Sequence, residues 1–400
     1  MKTGWTGGQY SIYRALLALS TGCVLASRLT IPLPDGPITA FLGLALLGCV
    51  ALAMGWHDWI AAAVLMVFGM GAAALVDGAP LDLPRVDVVM IAILLALHIA
   101  TPPDPFGAWS ARGRPDPGGP WCMPEWIPNL AWGILAAAYL FTDIERLANV
   151  ELSPLAIDAI AIVVFGLLFD LWFAVALIRT KSRGSAWIAM SLWKIACMFA
   201  FGNAGTLGAL GAFGLPVGSA PLWLFHALAF DARWLPGRTG QTAQTLVETN
   251  RTHDAIPVHA RLFYDGDCGL CHRTIRFLLA EEGNLDEDSR LRFAPIGGDA
   301  FERMLVNSPS VEANALPDSI FLKLEDGRIL TKSAAVSEIA NRLGGVWRAI
   351  AFVLTFGERI PHSALDYAYD IVADHRKRFF AKPTDSCPIL PPDLRARFDL

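Results

Sequence analysis

Two contrasting patterns of apolar and polar residues divide the chain. Up to about residue 236, long apolar stretches follow one another with few charges between them. Most approach the roughly 20 residues that cross a ~30 Å hydrocarbon core as a helix. Residues 237–258 are polar and have no period, and beyond them short alternating and amphipathic segments follow. The pattern predicts a polytopic transmembrane helical domain over 1–236, a linker over 237–258 and an α/β domain over 259–400.

Composition agrees with a membrane domain in the first part of the chain. Hydrophobic residues make up 54% of the 400 positions, more than a water-soluble surface usually tolerates. With about eight spans, the Lys and Arg residues of the loops collect mainly on the side that both termini share. We therefore expect a multi-pass protein of the cell membrane, in contact with the lipid bilayer, whose soluble domain lies on the cytoplasmic face. With seven spans the soluble domain would change sides.

Charged residues inside the predicted spans need a partner or a polar cavity. Asp170 and Lys194 are the clearest candidates for such a pair. They form a functional polar pocket or a structural ion pair, or their side chains extend to the membrane interface. The net charge of −5 provides no basic field of the kind that attracts nucleic acid, so no nucleic-acid partner is expected.

The C-terminal part predicts alternating strands and helices. The expected elements, in chain order, are strand 261–264, helix 271–282, strand 291–294, helix 300–306, a hairpin of strands 319–324 and 328–331, and helix 334–343. The order βαβαββα is the thioredoxin arrangement. The expected fold class is thus a multi-span α-helical membrane domain followed by an α/β thioredoxin-like domain.

Two cysteines, Cys268 and Cys271, lie where the first of these strands turns into a helix. A thiol at a helix N-terminus is close to unpaired N–H donors and to the positive end of the helix dipole, which favour the thiolate. Cys268 is expected to attack a substrate disulfide from this position. Cys271, one turn further into the helix, is expected to resolve the mixed disulfide. This redox-active pair needs no other cofactor.

Neighbouring residues are candidates for supporting roles. Asp267 is expected to cap the helix, Asp265 to act as a turn residue or proton acceptor, and His272 to add positive potential. Pro317 precedes the third strand, where a cis bond would expose backbone for an extended substrate. Cys387 is either a relay thiol or a packed, idle one.

Two other roles remain open for the cysteine pair. One is a purely structural disulfide, and the other is half of a zinc site. Zinc requires four ligands, and the soluble part offers only Cys387 and scattered histidines, without a second Cys-x-x-Cys. No metal is therefore expected.

The C-terminal part closely resembles the DCC family of thiol-disulfide oxidoreductases. The resemblance covers about 261–398 and includes Tyr264-Asp-Gly-Asp-Cys-Gly-Leu-Cys271, Arg292-Phe-Ala-Pro295, Leu316-Pro-Asp-Ser319, Tyr369-Asp370, Cys387-Pro388 and Arg397-Phe398. It implies a thioredoxin-like fold and dithiol chemistry, with Cys268 and Cys271 as the redox pair.

The first part resembles the HTTM family of membrane domains, which is related to vitamin K-dependent carboxylase. This resemblance covers roughly 8–236 and rests on Tyr10-Ser-Ile-Tyr-Arg14, Pro120-Trp-Cys-Met-Pro124, Tyr139-Leu-Phe-Thr-Asp143 and Phe230-Asp-Ala-Arg-Trp234. It implies no catalytic residue in this chain, since Arg146 stands where that family's segment would have a Lys.

The sequence as a whole predicts a membrane-anchored protein-disulfide reductase that acts on protein or small-molecule thiols and disulfides. A transport or quinone-coupled membrane module, whose soluble domain only senses redox state, is the alternative.

Overall fold

The described part of the chain forms two compact units. A computed structural model describes residues 4–29, 37–71, 86–102, 121, 123–148, 156–202, 220–235, 259–282, 285–306, 319–355, 361–379 and 392–399. The first unit ends at Asp231 and the second begins at Ala232. The linker predicted over 237–258 lies outside the described residues.

The described residues of the first unit are organised in helices. These are α1 (Gly7–Leu29), α2 (Pro37–Met54), α3 (Asp58–Val64), α4 (Val86–Ala100), α5 (Trp126–Ala148), α6 (Ala156–Ala176), α7 (Arg183–Gly202) and α8 (Ala220–Ala229). A π-helical turn over Leu65–Gly69 continues α3.

The predicted multi-span membrane domain is wrong for these helices. None of the helices in the described ranges combines the length and the apolar character that crossing a membrane requires. Within the described ranges, α3 and its π-helical continuation cover Asp58–Gly69, α4 has 15 residues and α8 has 10. At a rise of about 1.5 Å per residue, such helices fall well short of ~30 Å.

The expected fold class, a membrane domain followed by a thioredoxin-like domain, is therefore corrected. The described chain is mostly helical, with a small mixed sheet in its C-terminal unit. Bilayer contact and cellular location stay predictions.

The predicted pair of Asp170 and Lys194 does form. The Lys194 ammonium lies 3.2 Å from an Asp170 carboxylate oxygen, and both side chains are buried. The same ammonium stands 3.8 Å from the centre of the Tyr139 ring, where a cation–π contact adds to the ion pair.

The second unit contains the sheet and the helices that cover it. In chain order these are β1 (Arg261–Tyr264), α9 (Gly269–Glu281), β2 (Arg292–Pro295), α10 (Asp299–Val306), β3 (Phe321–Lys323), β4 (Ile329–Thr331), α11 (Lys332–Leu343), α12 (Gly345–Thr355), α13 (His362–Phe379) and α14 (Pro392–Arg395). The predicted strand 261–264 is confirmed, and the other predicted elements of this unit agree with the structure within about two residues.

The sheet has the order β2-β1-β3-β4. β1 pairs in parallel with β2 and antiparallel with β3, and β3 pairs antiparallel with β4. Gly327 closes the β3–β4 hairpin with a φ of +87°, a conformation that glycine adopts without a steric cost.

Successive side chains of each strand point to opposite faces of the sheet, and each face has its own hydrophobic core. Leu262 and Phe293 point to the face covered by α9 and α11, and their neighbours Phe263 and Ala294 point to the face covered by α10. Cys268 and Cys271 belong to the first of these cores. The sheet and α9 thus place the thiols within a packed apolar layer.

The C-terminal segment pairs with β2 through a single β-bridge. Phe398 forms a parallel bridge with Phe293, and the backbone N–H of Asp399 donates to the carbonyl of Phe293 at 2.8 Å. The Asp399 carboxylate also accepts hydrogen bonds from Arg292 and lies 2.7 Å from Nε of Arg261.

Candidate active site

The candidate site is built on the turn between β1 and α9. The backbone N–H of Asp267 donates to Oδ1 of Asp265 at 2.9 Å, and the N–H of Cys268 donates to the Asp265 carbonyl at 3.2 Å. An aspartate that bonds its own backbone two residues on is a common way to fix such a turn. Asp265 therefore makes the contact of a turn residue, one of the two roles expected of it, and the role of proton acceptor stays a prediction.

Cys268 is the N-cap of α9, which corrects the capping role expected of Asp267. Its backbone is extended, with φ −98° and ψ 115°, and its sulfur accepts the N–H of Cys271 at 3.3 Å. A sulfur that accepts a helix N–H suits the thiolate, because the unpaired amides and the dipole of the helix stabilise negative charge there.

The two cysteines are free thiols in the described structure and both are buried. Cys268 is 2% exposed and Cys271 is 6% exposed. Burial, together with the adjacent Cys268 sulfur, raises the pKa of the Cys271 thiol to about 12. Both thiols thus lie in the same core, with Cys268 at the N-cap of α9 and Cys271 one turn further into the helix.

His272 is bound to the turn rather than directed at the thiols. Its Nε2–H donates to the Gly266 carbonyl at 2.8 Å, and its ring meets the Tyr264 ring edge to face at 6.0 Å. These contacts attach the first turn of α9 to the end of β1. The positive potential expected of His272 stays a prediction.

Arg376 is a residue of the site that the sequence analysis did not assign to it. It lies on α13, is 3% exposed, and places one guanidinium nitrogen 3.5 Å from Oδ2 of Asp265. Its charge opposes the rise in the pKa of Cys271, whereas the Asp265 carboxylate adds to it. No local pattern signals this contact, because α13 follows the thiols only far along the chain.

Two predicted site residues lie outside the described part of the chain. Pro317 and Cys387 are both in undescribed segments, so the cis bond and the relay thiol stay predictions. Within the described ranges, no three His, Cys, Asp or Glu side chains are grouped so that they could hold a metal ion.

A comparison with known protein families finds a match in the second unit, which contains Cys268 and Cys271. Residues 262–382 match the family model of DCC1-like thiol-disulfide oxidoreductases. The chain is also similar to the uncharacterized protein YuxK of Bacillus subtilis (strain 168), with 29% identity over 147 residues, which are 37% of this chain and 98% of that protein. No solved structure gives a significant match.

The family match begins at residue 262, and the HTTM resemblance over 8–236 stays a prediction. The segment that holds Cys268 and Cys271 is thus similar to a family of thiol-disulfide oxidoreductases, which supports an oxidoreductase.

Proposed function

We propose that this protein is a thiol-disulfide oxidoreductase in which Cys268 is the nucleophile and Cys271 the resolving thiol. The observation that carries the proposal is the sulfur of Cys268 at the N-cap of α9, within hydrogen-bond distance of the N–H of Cys271. This geometry places the two thiols one helical turn apart, with Cys268 at the helix end where unpaired amides and the helix dipole favour negative charge. The family match over 262–382 supports the same chemistry.

The reaction transfers two electrons from the dithiol to a substrate disulfide. The Cys268 thiolate attacks one substrate sulfur, a mixed disulfide forms, and the first substrate thiolate leaves and takes up a proton. The Cys271 sulfur, once deprotonated, attacks Sγ of Cys268 and expels the second substrate thiolate, which is also protonated. The products are two substrate thiols and the Cys268–Cys271 disulfide.

Burial of the two sulfurs restricts the substrate. Because Cys268 is almost fully covered, a disulfide embedded in a rigid protein surface reaches it only if the neighbouring residues move. The site therefore favours small disulfides or disulfides on extended segments, which present a sulfur without a bulky surface around it.

The test is the reduction of glutathione disulfide or insulin by the full chain with dithiothreitol as the final reductant. We expect Cys268→Ser to abolish activity and Cys271→Ser to accumulate a mixed disulfide at Cys268. Cys23→Ser is the matched control, because Cys23 is an exposed free thiol of the first unit, and it should leave the rate unchanged. A Cys268→Ser variant as active as the unmodified protein would refute the mechanism.

A further inference from the structure

We propose that Tyr10 is a one-electron redox site of the first unit, which gives an electron to a one-electron oxidant while its phenolic proton passes to His98. The inference concerns the helices of the first unit and goes beyond the proposed thiol chemistry.

A hydrogen bond joins Tyr10 on α1 to His98 on α4. The Tyr10 hydroxyl oxygen lies 2.7 Å from Nδ1 of His98, and the two residues are 2% and 5% exposed. Burial lowers the pKa of His98 to about 4, the Asp58 carboxylate opposes this shift, and the Arg14 charge adds to it. His98 is therefore neutral at neutral pH, and a neutral imidazole has one ring nitrogen that accepts the Tyr10 O–H.

The side chains beyond His98 prepare it to receive a proton. Oδ2 of Asp58, the first residue of α3, lies 3.7 Å from Nε2 of His98. A proton that arrives at Nδ1 therefore creates an imidazolium beside a carboxylate, which stabilises it. Arg14 lies 3.9 Å from the same carboxylate oxygen, and its Nε donates to the carbonyl of Leu52 at 3.1 Å. The carboxylate is thus placed between a cation and the imidazole.

A chain of oxidisable rings surrounds Tyr10. Its ring centre lies 5.1 Å from that of Trp121 and 5.7 Å from that of Tyr13, and the Tyr13 and Trp5 centres are 6.2 Å apart. Trp121 is partly exposed, whereas the other three rings are buried. Because rings in contact exchange electrons readily, an oxidant outside the unit can draw an electron from Tyr10 through Trp121. Burial keeps substrates away from the Tyr10 hydroxyl but does not prevent electron transfer.

The step balances in electrons and protons. The oxidant takes one electron from Tyr10, the phenolic O–H bond breaks, and an N–H bond forms at Nδ1 of His98. The products are a neutral tyrosyl radical, an imidazolium at His98 and an oxidant reduced by one electron. A one-electron reductant reverses both transfers.

A second tyrosine–histidine pair of the same unit lies in a different electrostatic setting. The Tyr139 hydroxyl lies 2.5 Å from Nε2 of His226, and both residues are buried. The Lys194 ammonium, 3.8 Å from the Tyr139 ring centre, opposes loss of an electron from this ring. Asp170 offsets part of that charge, but burial and the Lys194 charge still lower the pKa of His226 to about 3. We therefore expect Tyr139 to resist oxidation more than Tyr10 does.

The test is photo-oxidation of the full chain by tris(bipyridine)ruthenium(III), which a laser flash generates in the presence of a sacrificial electron acceptor. Samples are frozen after the flash, and electron paramagnetic resonance measures tyrosyl radicals. Every sample carries Tyr367→Phe, because Tyr367 is 69% exposed and would react with the oxidant directly. We expect a tyrosyl signal that is lost in Tyr10→Phe. Tyr139→Phe is the matched control and should leave the signal unchanged.

The role of His98 has its own readout. His98→Asn keeps an amide oxygen that can accept the Tyr10 hydrogen bond but removes the base. Radical formation, followed by transient absorption, should become about 10²-fold slower, at the lower end of what a positioned base contributes. With His98 in place, formation should be slower in D₂O than in H₂O, because the O–H bond breaks in this step. Trp121→Phe should also slow it.

Circular dichroism first establishes that each variant is folded. If Tyr10→Phe does not fold, His98→Asn takes its place with the expected slow formation. A tyrosyl signal that survives in Tyr10→Phe, a signal that only Tyr139→Phe removes, or no signal in any sample would refute the redox site. Equal rates with and without His98→Asn would refute the transfer of the proton to His98.

Discussion

At the scale of single residues, the site depends on Cys268, which caps a helix and, in the proposed mechanism, attacks the substrate disulfide. The sulfur of Cys268 takes the place of the oxygen that usually caps a helix. The residue chosen to replace Cys268 can therefore separate helix capping from redox activity.

Cys268→Ser should leave α9 as stable as before, because a serine hydroxyl is a good N-cap, while activity disappears. Cys268→Ala should also be inactive and should weaken the helix by about 0.5–2 kcal/mol. Hydrogen exchange of the α9 amides, followed by mass spectrometry, measures both effects.

Asp288→Ala is the control for this comparison, because Asp288 is exposed and lies outside α9. Its α9 amides should exchange at the unmodified rate. Equal exchange rates in the Ser and Ala variants of Cys268 would show that the sulfur does not act as the cap.

At the scale of secondary-structure elements, helix α13 contacts both the residue before β3 and the turn between β1 and α9. Tyr369 binds the backbone before β3, and Arg376 reaches Asp265. Arg376, Lys377 and Arg378 follow one another in the sequence, and this local pattern does not indicate that Arg376 is buried near Asp265.

Tyr369→Phe should loosen the start of β3, because the Ile320 N–H loses its hydroxyl partner. We expect a cost of about 1 kcal/mol, which corresponds to roughly fivefold faster exchange of that amide if it opens locally. Tyr367→Phe is the matched control, since Tyr367 on the same helix is 69% exposed. Equal exchange of Ile320 in both variants would contradict the contact.

The contacts of Asp399 with β1 and β2 predict that the stability of the second unit depends on pH. Burial alone raises the pKa of Asp399, but the Arg292 hydrogen bond and the charges of Arg261 and Arg292 outweigh burial and hold it below its usual range. A carboxyl whose pKa is lowered by folding stabilises the fold above its unfolded pKa of about 3.9 and loses this effect as pH falls through the folded value.

Asp399→Asn should therefore lower the free energy of unfolding of the second unit by about 1–3 kcal/mol at neutral pH. The difference from the unmodified protein should begin to shrink below about pH 4 and vanish once the pH is below the lowered pKa of the folded state. Hydrogen exchange of the β2 amides over a pH series measures it, with Asp286→Asn, a change at an exposed residue, as the control. A difference that persists unchanged in acid would exclude the ionised carboxylate as its cause.

At the scale of the whole molecule, sequence predicted the second unit far better than the first. Strand alternation and the hairpin around Gly327 are local signals, so β1, β2 and the β3–β4 hairpin were predicted within about two residues. The membrane prediction rested on hydropathy alone, and none of the helices in the described ranges combines the length and the apolar character that crossing a membrane requires.

The site was predictable as far as its chemistry is contiguous in sequence. Asp265, Cys268 and Cys271 share one turn and were all identified. Arg376 was missed because its role depends on how α13 packs, and packing between distant segments leaves no local pattern.

The most direct test of the redox pair is its response to glutathione buffers of graded potential. The full chain is equilibrated in each buffer, quenched in acid and alkylated, and the peptide that holds both cysteines is quantified by mass spectrometry. We predict a reversible two-electron transition, about 30 mV per tenfold change, between two free thiols and a Cys268–Cys271 disulfide. If both cysteines remain alkylated in the most oxidising buffer, or if either pairs only with a different thiol, the proposed dithiol does not exist.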